Sequence, residues 1–367
     1  MSITANILTE QGFVQGQLTL ESERIASIEG DIVSETQAKT NGLPWLLPGF
    51  IDCHVHGAGG FDVMDGDSAL QVICKTHAQY GTTSLLATTL TAPLSELETS
   101  FRGIALCASN PAQGTASLLG VHLEGPFINA SKLGAQPDFA RLFSIDEIHL
   151  LHQISPLRVI TLAPELPGHI EAIQHLLALD IRVQIGHSAG SYEDALKALN
   201  TGATGFTHLF NAMTGLHHRD PGMVGAALAN AQYAEIIPDL IHVHSGALKT
   251  AARCIPKLFS VTDATAATGM PDGSYQLGKQ KVFKCLGCVK LADGTLAGSA
   301  LTMDQAFRNW VQLGFSLQEA SHKTSLHAAD FLGEHQRGRL RPGLLADMVL
   351  LDHRLNLKNV WIKGVNI

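Results

Sequence analysis

The chain has 367 residues, 45% of them hydrophobic and 16% charged, a core-forming balance that excludes a disordered, fibrous or collagen-like protein. Its formal charge of −8 offers no general attraction to phosphate backbones or anionic membranes, which argues against nucleic acid or lipid as partner. Six scattered cysteines suit reduced thiols, and no leader-like opening or run of about 18 apolar residues is present, so the expected location is the cytoplasm.

Alternating stretches at 16–20 and 24–28 read as β-hairpin material. They form no domain alone. The C-terminal stretch from Gly338 has the same style, with apolar runs at 348–351 and 360–364. Sheet edges need partners, so the two ends are expected to pair into one small β domain, 1–47 together with 338–367. Between them, strands are expected at 84–86, 117–122, 159–162, 182–185, 205–207, 236–238 and 259–261, and amphipathic helices at 69–79, 145–153, 168–178, 192–199 and 303–312. Repeated β then α over 48–337 predicts a parallel (β/α)8 barrel. An open doubly wound sheet is the alternative, weakened because no Gly-rich nucleotide fingerprint follows the first core strand. The C-x-x-C at Cys285 and Cys288 has no second pair, and buried or incidental thiols are expected there.

Eighteen histidines invite a search for metal ligands. The segment PGFIDCHVH, 48–56, is an apolar strand ending in His-x-His; alternate strand residues share a face, so His54 and His56 can hold one cation. In so His-rich a chain that pair alone is weak, but its place before Gly57, Gly59 and Gly60 strengthens it. In VHLEGPF, 121–127, a strand ends in Glu124, which can ligate metal or serve as a loop or capping acid. His187, His208 and Asp263 repeat the theme at later strand ends. One strand-end His is common; six metal-compatible groups at successive strand ends are not. Mixed His and Glu ligands suit a divalent transition metal, Zn first with Fe, Mn or Co as alternatives, over Mg or Ca.

The motifs PGFIDCHVHG, HLEGPF, GHS, THLFNAM, HHRDPG and VTDAT stand in an order that resembles the N-acetylhexosamine-6-phosphate deacetylases of the metal-dependent amidohydrolase superfamily, over essentially the whole chain. The resemblance implies an α/β fold: a TIM-type metal-dependent hydrolase barrel with a small β-sandwich domain from both chain ends. It implies metal ligation by His54, His56, Glu124, His187 and His208, with Asp263 as the catalytic carboxylate. It places substrate contacts at Ala135, Gln136, Asn211, Ala212, Leu296, Ala297 and Gly298, and at Arg219 and His242, which meet the sugar phosphate across a subunit boundary. A homodimer or higher homo-oligomer is therefore expected. Arg219 supplies a planar fork suited to phosphate, although a solvated surface charge is its plainer explanation. Because His-x-His is retained, one or two metals per subunit are expected. Gln136 stands where the family usually has a His that holds the acetyl carbonyl; it can donate a neutral hydrogen bond but brings no positive charge.

The activity this implies is metal-dependent deacetylation of an N-acetylhexosamine 6-phosphate. Asp263 would take a proton from water and pass it to the sugar nitrogen. MTGLHHR, DVMD and GMPDG look closer to the galactosamine branch; the glucosamine substrate is the alternative. More remote alternatives are another amidohydrolase reaction on a cyclic amide or ester, or an inactive metal-binding homologue.

Overall fold

A computed structural model describes residues 1–367, the side chain of residue 67 excepted. Eight parallel strands form its centre: β1 (Phe50–Val55), β2 (Thr82–Thr89), β3 (Ser117–Glu124), β4 (Leu157–Leu162), β5 (Arg182–Ile185), β6 (Gly205–Phe206), β7 (Tyr233–Ile236) and β8 (Lys257–Ser260). The first six lie side by side in one sheet, and β7 pairs with β8. Leu209 N–H donates to the Glu235 carbonyl at 2.8 Å, joining β6 to β7, and Asp263 N–H donates to the His54 carbonyl at 3.0 Å, closing the ring onto β1. This is the TIM-type barrel.

Every residue of β1 and β2 is buried, as a strand covered on both faces by a barrel interior and its helices requires. The helices bury one stripe each. In Leu94–Ser109, Leu97, Phe101 and Ile104 face inward at helical spacing, the pattern of an amphipathic helix on a sheet. Helix Tyr192–Thr201 starts at a reciprocal Ser191–Asp194 capping box and stops at Gly202, φ 117°, where a side chain would be strained.

Both chain ends meet in a separate seven-stranded sheet. Strand Trp45–Pro48, which leads into β1, lies between the N-terminal strand Ser2–Thr9 and the C-terminal strand Met348–Leu351. This sheet has its own core, including Ile7, Leu18, Leu46, Met348 and Trp361.

The structure adds elements that the sequence pattern does not show. Helices Leu94–Ser109, Gly222–Asn230 and Ser245–Cys254 complete barrel units left blank, and β7 begins three residues before the strand expected at 236–238. After β8 a three-stranded antiparallel flap, Gly273–Leu277, Gln280–Cys285 and Cys288–Lys290, folds over the barrel mouth. Leu277, Val282 and Val289 of the flap pack with Leu90, Ala267 and Ala297. The Gln280 side-chain amide donates to the Ala135 carbonyl at 2.7 Å, and Gly278 N–H donates to Asp62 at 2.9 Å. Cys285 and Cys288 face each other across the outer turn of this flap, exposed and half-buried respectively, so neither is a core thiol.

Candidate metal centre

Parallel strands end at one mouth of a barrel, which brings side chains distant in sequence within reach of one another. His54 and His56 come from the end of β1, Glu124 from the last position of β3, and His187, His208 and Asp263 from the residues following β5, β6 and β8. His187, His208 and Asp263 all have positive φ, at 47°, 25° and 51°. Non-glycine residues in this region are strained, and such strain persists where surrounding structure fixes a functional geometry.

The six side chains form two groups, His54–His56–Asp263 and Glu124–His187–His208. Glu124 links them. Its Oε1 lies 3.1 Å from His187 Nε2, 2.9 Å from His208 Nε2 and 3.4 Å from His54 Nε2, while Oε2 lies 3.1 Å from His56 Nε2. Asp263 Oδ1 is 3.3 Å from His56 Nε2 and 3.6 Å from His54 Nε2.

The tautomers follow from the outer contacts. His56 Nδ1 donates to the Thr88 carbonyl at 3.1 Å, His187 Nδ1 to the Lys132 carbonyl at 2.7 Å, and His54 Nδ1 to the Glu235 carboxylate at 3.0 Å. Each ring therefore turns Nε2 inward. The inward nitrogens stand 3.2 Å apart in the His54–His56 pair and 3.1 Å apart in the His187–His208 pair. One proton can be shared within each pair, whereas a cation engages all the lone pairs and both carboxylates together. Ligands at the usual Zn–N distance of about 2.0–2.1 Å are separated by about 3.0–3.4 Å along a coordination edge. The observed separations match, so the residues fit a divalent metal.

The electrostatics agree. Burial alone would raise Asp263, yet the His54 and His56 imidazoles hold its carboxyl down at about 2. Glu124 is likewise driven well below the carboxylate range by His54, His187 and His208 against the cost of burial. Burial works against charge on His56, but Asp263 and Glu124 raise it to about 9. A buried site that demands positive charge at its centre is one that a metal can satisfy in place of protons.

Two supporting residues escaped the sequence reading. Glu235, fully buried on β7, accepts from His54 Nδ1 and at 3.3 Å from the His208 backbone N–H; the signal available was a lone acid within the otherwise apolar strand Tyr233–Ile236. His122 on β3 donates from Nδ1 to the Cys53 carbonyl at 3.1 Å and meets Thr161 Oγ1 at 2.8 Å through Nε2. Both nitrogens are engaged, and burial lowers its pKa to about 4, so this neutral ring buttresses the centre without a lone pair to offer.

The centre forms the floor of a cavity of about 370 Å³ lined also by Ala135, Gln136, Asn211, Ala212, His242, Leu296 and Gly298. Ala297 differs from expectation: it is fully buried and packs into the flap core with Leu90 and Leu277, because alternation along its segment turns it away from the cavity. Arg219 lies outside this cavity, exposed, with Nη1 2.8 Å from His218 Nε2. Gln136 donates its amide to Glu124 Oε2 and accepts from Thr91 N–H at 2.7 Å, so that amide is held by the centre itself. His242 bonds Asp239 through Nδ1 at 2.6 Å, leaving Nε2 for a ligand. Lys132, also on the cavity wall, has no carboxylate partner among the described residues and is a cation that motif reading overlooked.

The profile of the amidohydrolase family matches residues 45–367. The chain is 41% identical to N-acetylgalactosamine-6-phosphate deacetylase of Escherichia coli O157:H7, with 98% of this chain and 96% of the relative covered. It is 39% identical to N-acetylglucosamine-6-phosphate deacetylase of Vibrio furnissii, with 87% and 82% covered. Among solved structures it is similar to N-acetylglucosamine-6-phosphate deacetylase of Thermotoga maritima, at TM-score 0.91 and 32% identity, covering 100% of this chain and 99% of that one. A variant of the Mycobacterium smegmatis deacetylase in complex with N-acetyl-D-glucosamine 6-phosphate superposes at TM-score 0.92 and 31% identity, covering 100% and 98%.

Proposed function

Because the chain belongs to the amidohydrolase family and is a metal-dependent hydrolase of carbon–nitrogen amide bonds, we propose that it deacetylates an N-acetylhexosamine 6-phosphate, with the galactosamine epimer preferred. One observation carries the reaction class: His56, His187, His208, Glu124 and Asp263 line one cavity floor, with His54 buried behind them and its Nε2 turned towards the same carboxylates. The preference for the galacto epimer rests on the 41% relative together with the MTGLHHR, DVMD and GMPDG segments.

When bound, a divalent metal, Zn first, supplies Lewis acidity that lowers the pKa of water and polarises a carbonyl. His54, His56, Glu124, His187 and His208 would hold it. Asp263, at the cavity floor, accepts the proton of the attacking water. The water oxygen bonds to the acyl carbon, the C–N bond breaks, and Asp263 returns that proton to the departing nitrogen, giving acetate and the amino-sugar phosphate. Asn211, the Ala212 backbone and Gly298 orient the sugar. His242 lines this chain's own cavity, which departs from the expectation that it acts across a subunit boundary; its Nε2 and Lys132 supply donors for the phosphate on this subunit, and Arg219 does so from a neighbouring one. Gln136 keeps Glu124 in register.

Acetate release from N-acetylgalactosamine 6-phosphate and N-acetylglucosamine 6-phosphate, assayed side by side with Zn²⁺ present, tests the reading. A larger kcat/KM for the galacto epimer is expected. Turnover of the gluco epimer with equal or greater kcat/KM overturns the preference, and turnover of neither overturns the activity. No helix of the described residues is long and apolar enough to cross a membrane, in keeping with a small phosphorylated substrate met in solution.

A further inference from the structure

Beside the reaction cavity lies a second cavity of about 280 Å³, bordered by Met64, Leu90, Ala92, Pro137 and Phe139 and, at its outer edge, by the Lys279–Glu96 ion pair. Leu90 borders both. It follows directly on β2 and is 2% exposed. Its position is fixed from both sides: two residues earlier the Thr88 carbonyl accepts from His56, and one residue later Thr91 N–H donates to Gln136. Leu90 is thus an apolar side chain whose backbone neighbours are anchored to residues of the cavity floor. For hydrolysis the acyl carbon must stand at that floor, within reach of Asp263, in the cavity that Leu90 borders.

We propose that Leu90 sets the length of acyl chain the enzyme accepts, by closing a side cavity that would otherwise house a propionyl or butyryl tail. The inference rests on the amide-hydrolase reading of the site and deepens it. A methyl group stops at Leu90, whereas each further methylene must displace a packed side chain, which interiors resist. Shortening Leu90 joins the two spaces, and beyond it Met64, Ala92, Pro137 and Phe139 offer apolar contacts to a longer tail in a lining that also includes Asp65, Thr91 and Gln280. The reaction is otherwise unchanged: water adds to the acyl carbon, the C–N bond breaks, and the longer carboxylate leaves.

The test compares kcat/KM for N-acetyl, N-propionyl and N-butyryl hexosamine 6-phosphates in the metal-loaded enzyme. Leu90→Ala should raise the butyryl-to-acetyl ratio at least about tenfold. Thr99 borders the side cavity from an exposed helical position, and Thr99→Phe would fill it. The double variant Leu90→Ala/Thr99→Phe should therefore lose the gain. If Leu90→Ala does not fold, Leu90→Val read with the propionyl substrate carries the same comparison. A folded variant with its ratio within twofold of the unaltered enzyme overturns the proposal, as does a gain that survives Thr99→Phe. Failure of the unaltered enzyme to release acetate would instead overturn the reading of the reaction itself.

Discussion

The Glu235 carboxylate sits 3.0 Å from His54 Nδ1, with both side chains fully buried. It fixes the tautomer and direction of His54, and its charge raises the electron density on the inward Nε2.

Glu235→Ala should therefore lower metal affinity by about 10–100-fold by freeing His54 from its orienting partner. Elemental analysis after dialysis against graded chelator measures this, and the unaltered enzyme should lose activity as its metal is removed. Metal retention equal to that of the unaltered enzyme would show that His54 is oriented by packing alone.

Asp263→Asn keeps the shape of the side chain but removes its capacity to take a proton. A fall in kcat of at least about 100-fold is expected, with substrate binding retained. Near-normal kcat would assign the proton transfer to another group.

Arg219 lies outside the cavity of its own chain, so its proposed phosphate contact requires a second subunit. Arg219→Ala should raise KM for the 6-phosphate sugar strongly and barely affect the unphosphorylated one. Mixing Arg219→Ala chains with Asp263→Asn chains should restore activity, since a hybrid dimer contains one site with both residues intact. Absence of recovery in verified hybrids would place Arg219 in its own subunit's site or in none.

Burial holds His77 neutral, with its pKa near 4, beneath an ordinary histidine value of about 6.5. Its Nε2 donates to the Gly57 carbonyl at 3.3 Å. Above pH 6.5 both folded and unfolded chains carry this ring neutral, and stability is unaffected. As pH falls from 6.5 towards 4, only the unfolded chain binds the proton, so stability is lost, by up to about 3 kcal/mol. His327, also near 4 through burial, acts in the same direction. Urea unfolding at pH 7 and pH 5 should show a smaller loss for His77→Gln than for the unaltered chain. Equal losses would assign the acid sensitivity elsewhere.

Histidine and acid residues at successive strand ends were legible because strand alternation and chain punctuation place them before any coordinates are known. Their convergence was not, since it depends on ring closure through contacts such as Asp263 N–H to the His54 carbonyl. Glu235 escaped notice because one acid in one strand has no spacing partner to mark it. The flap escaped for a different reason: its strands are short, mixed in polarity and stabilised by a small core shared with Leu90 and Ala267, far away in sequence from Leu90. Arg219 could be read as a phosphate fork from its residue type, whereas its place outside its own cavity was expected only through the family resemblance.

The strand leading into β1 is clasped between the N-terminal and C-terminal strands, and this has a consequence in time. During synthesis, Trp45–Pro48 emerges early, but its Met348–Leu351 partner is made some 300 residues later. The Gly49 N–H, at the root of the strand that bears His54 and His56, likewise waits for the Asp347 carbonyl, 2.9 Å away. Final seating of the strand that leads to His54 and His56 thus waits until Asp347 and the strand Met348–Leu351 have been made.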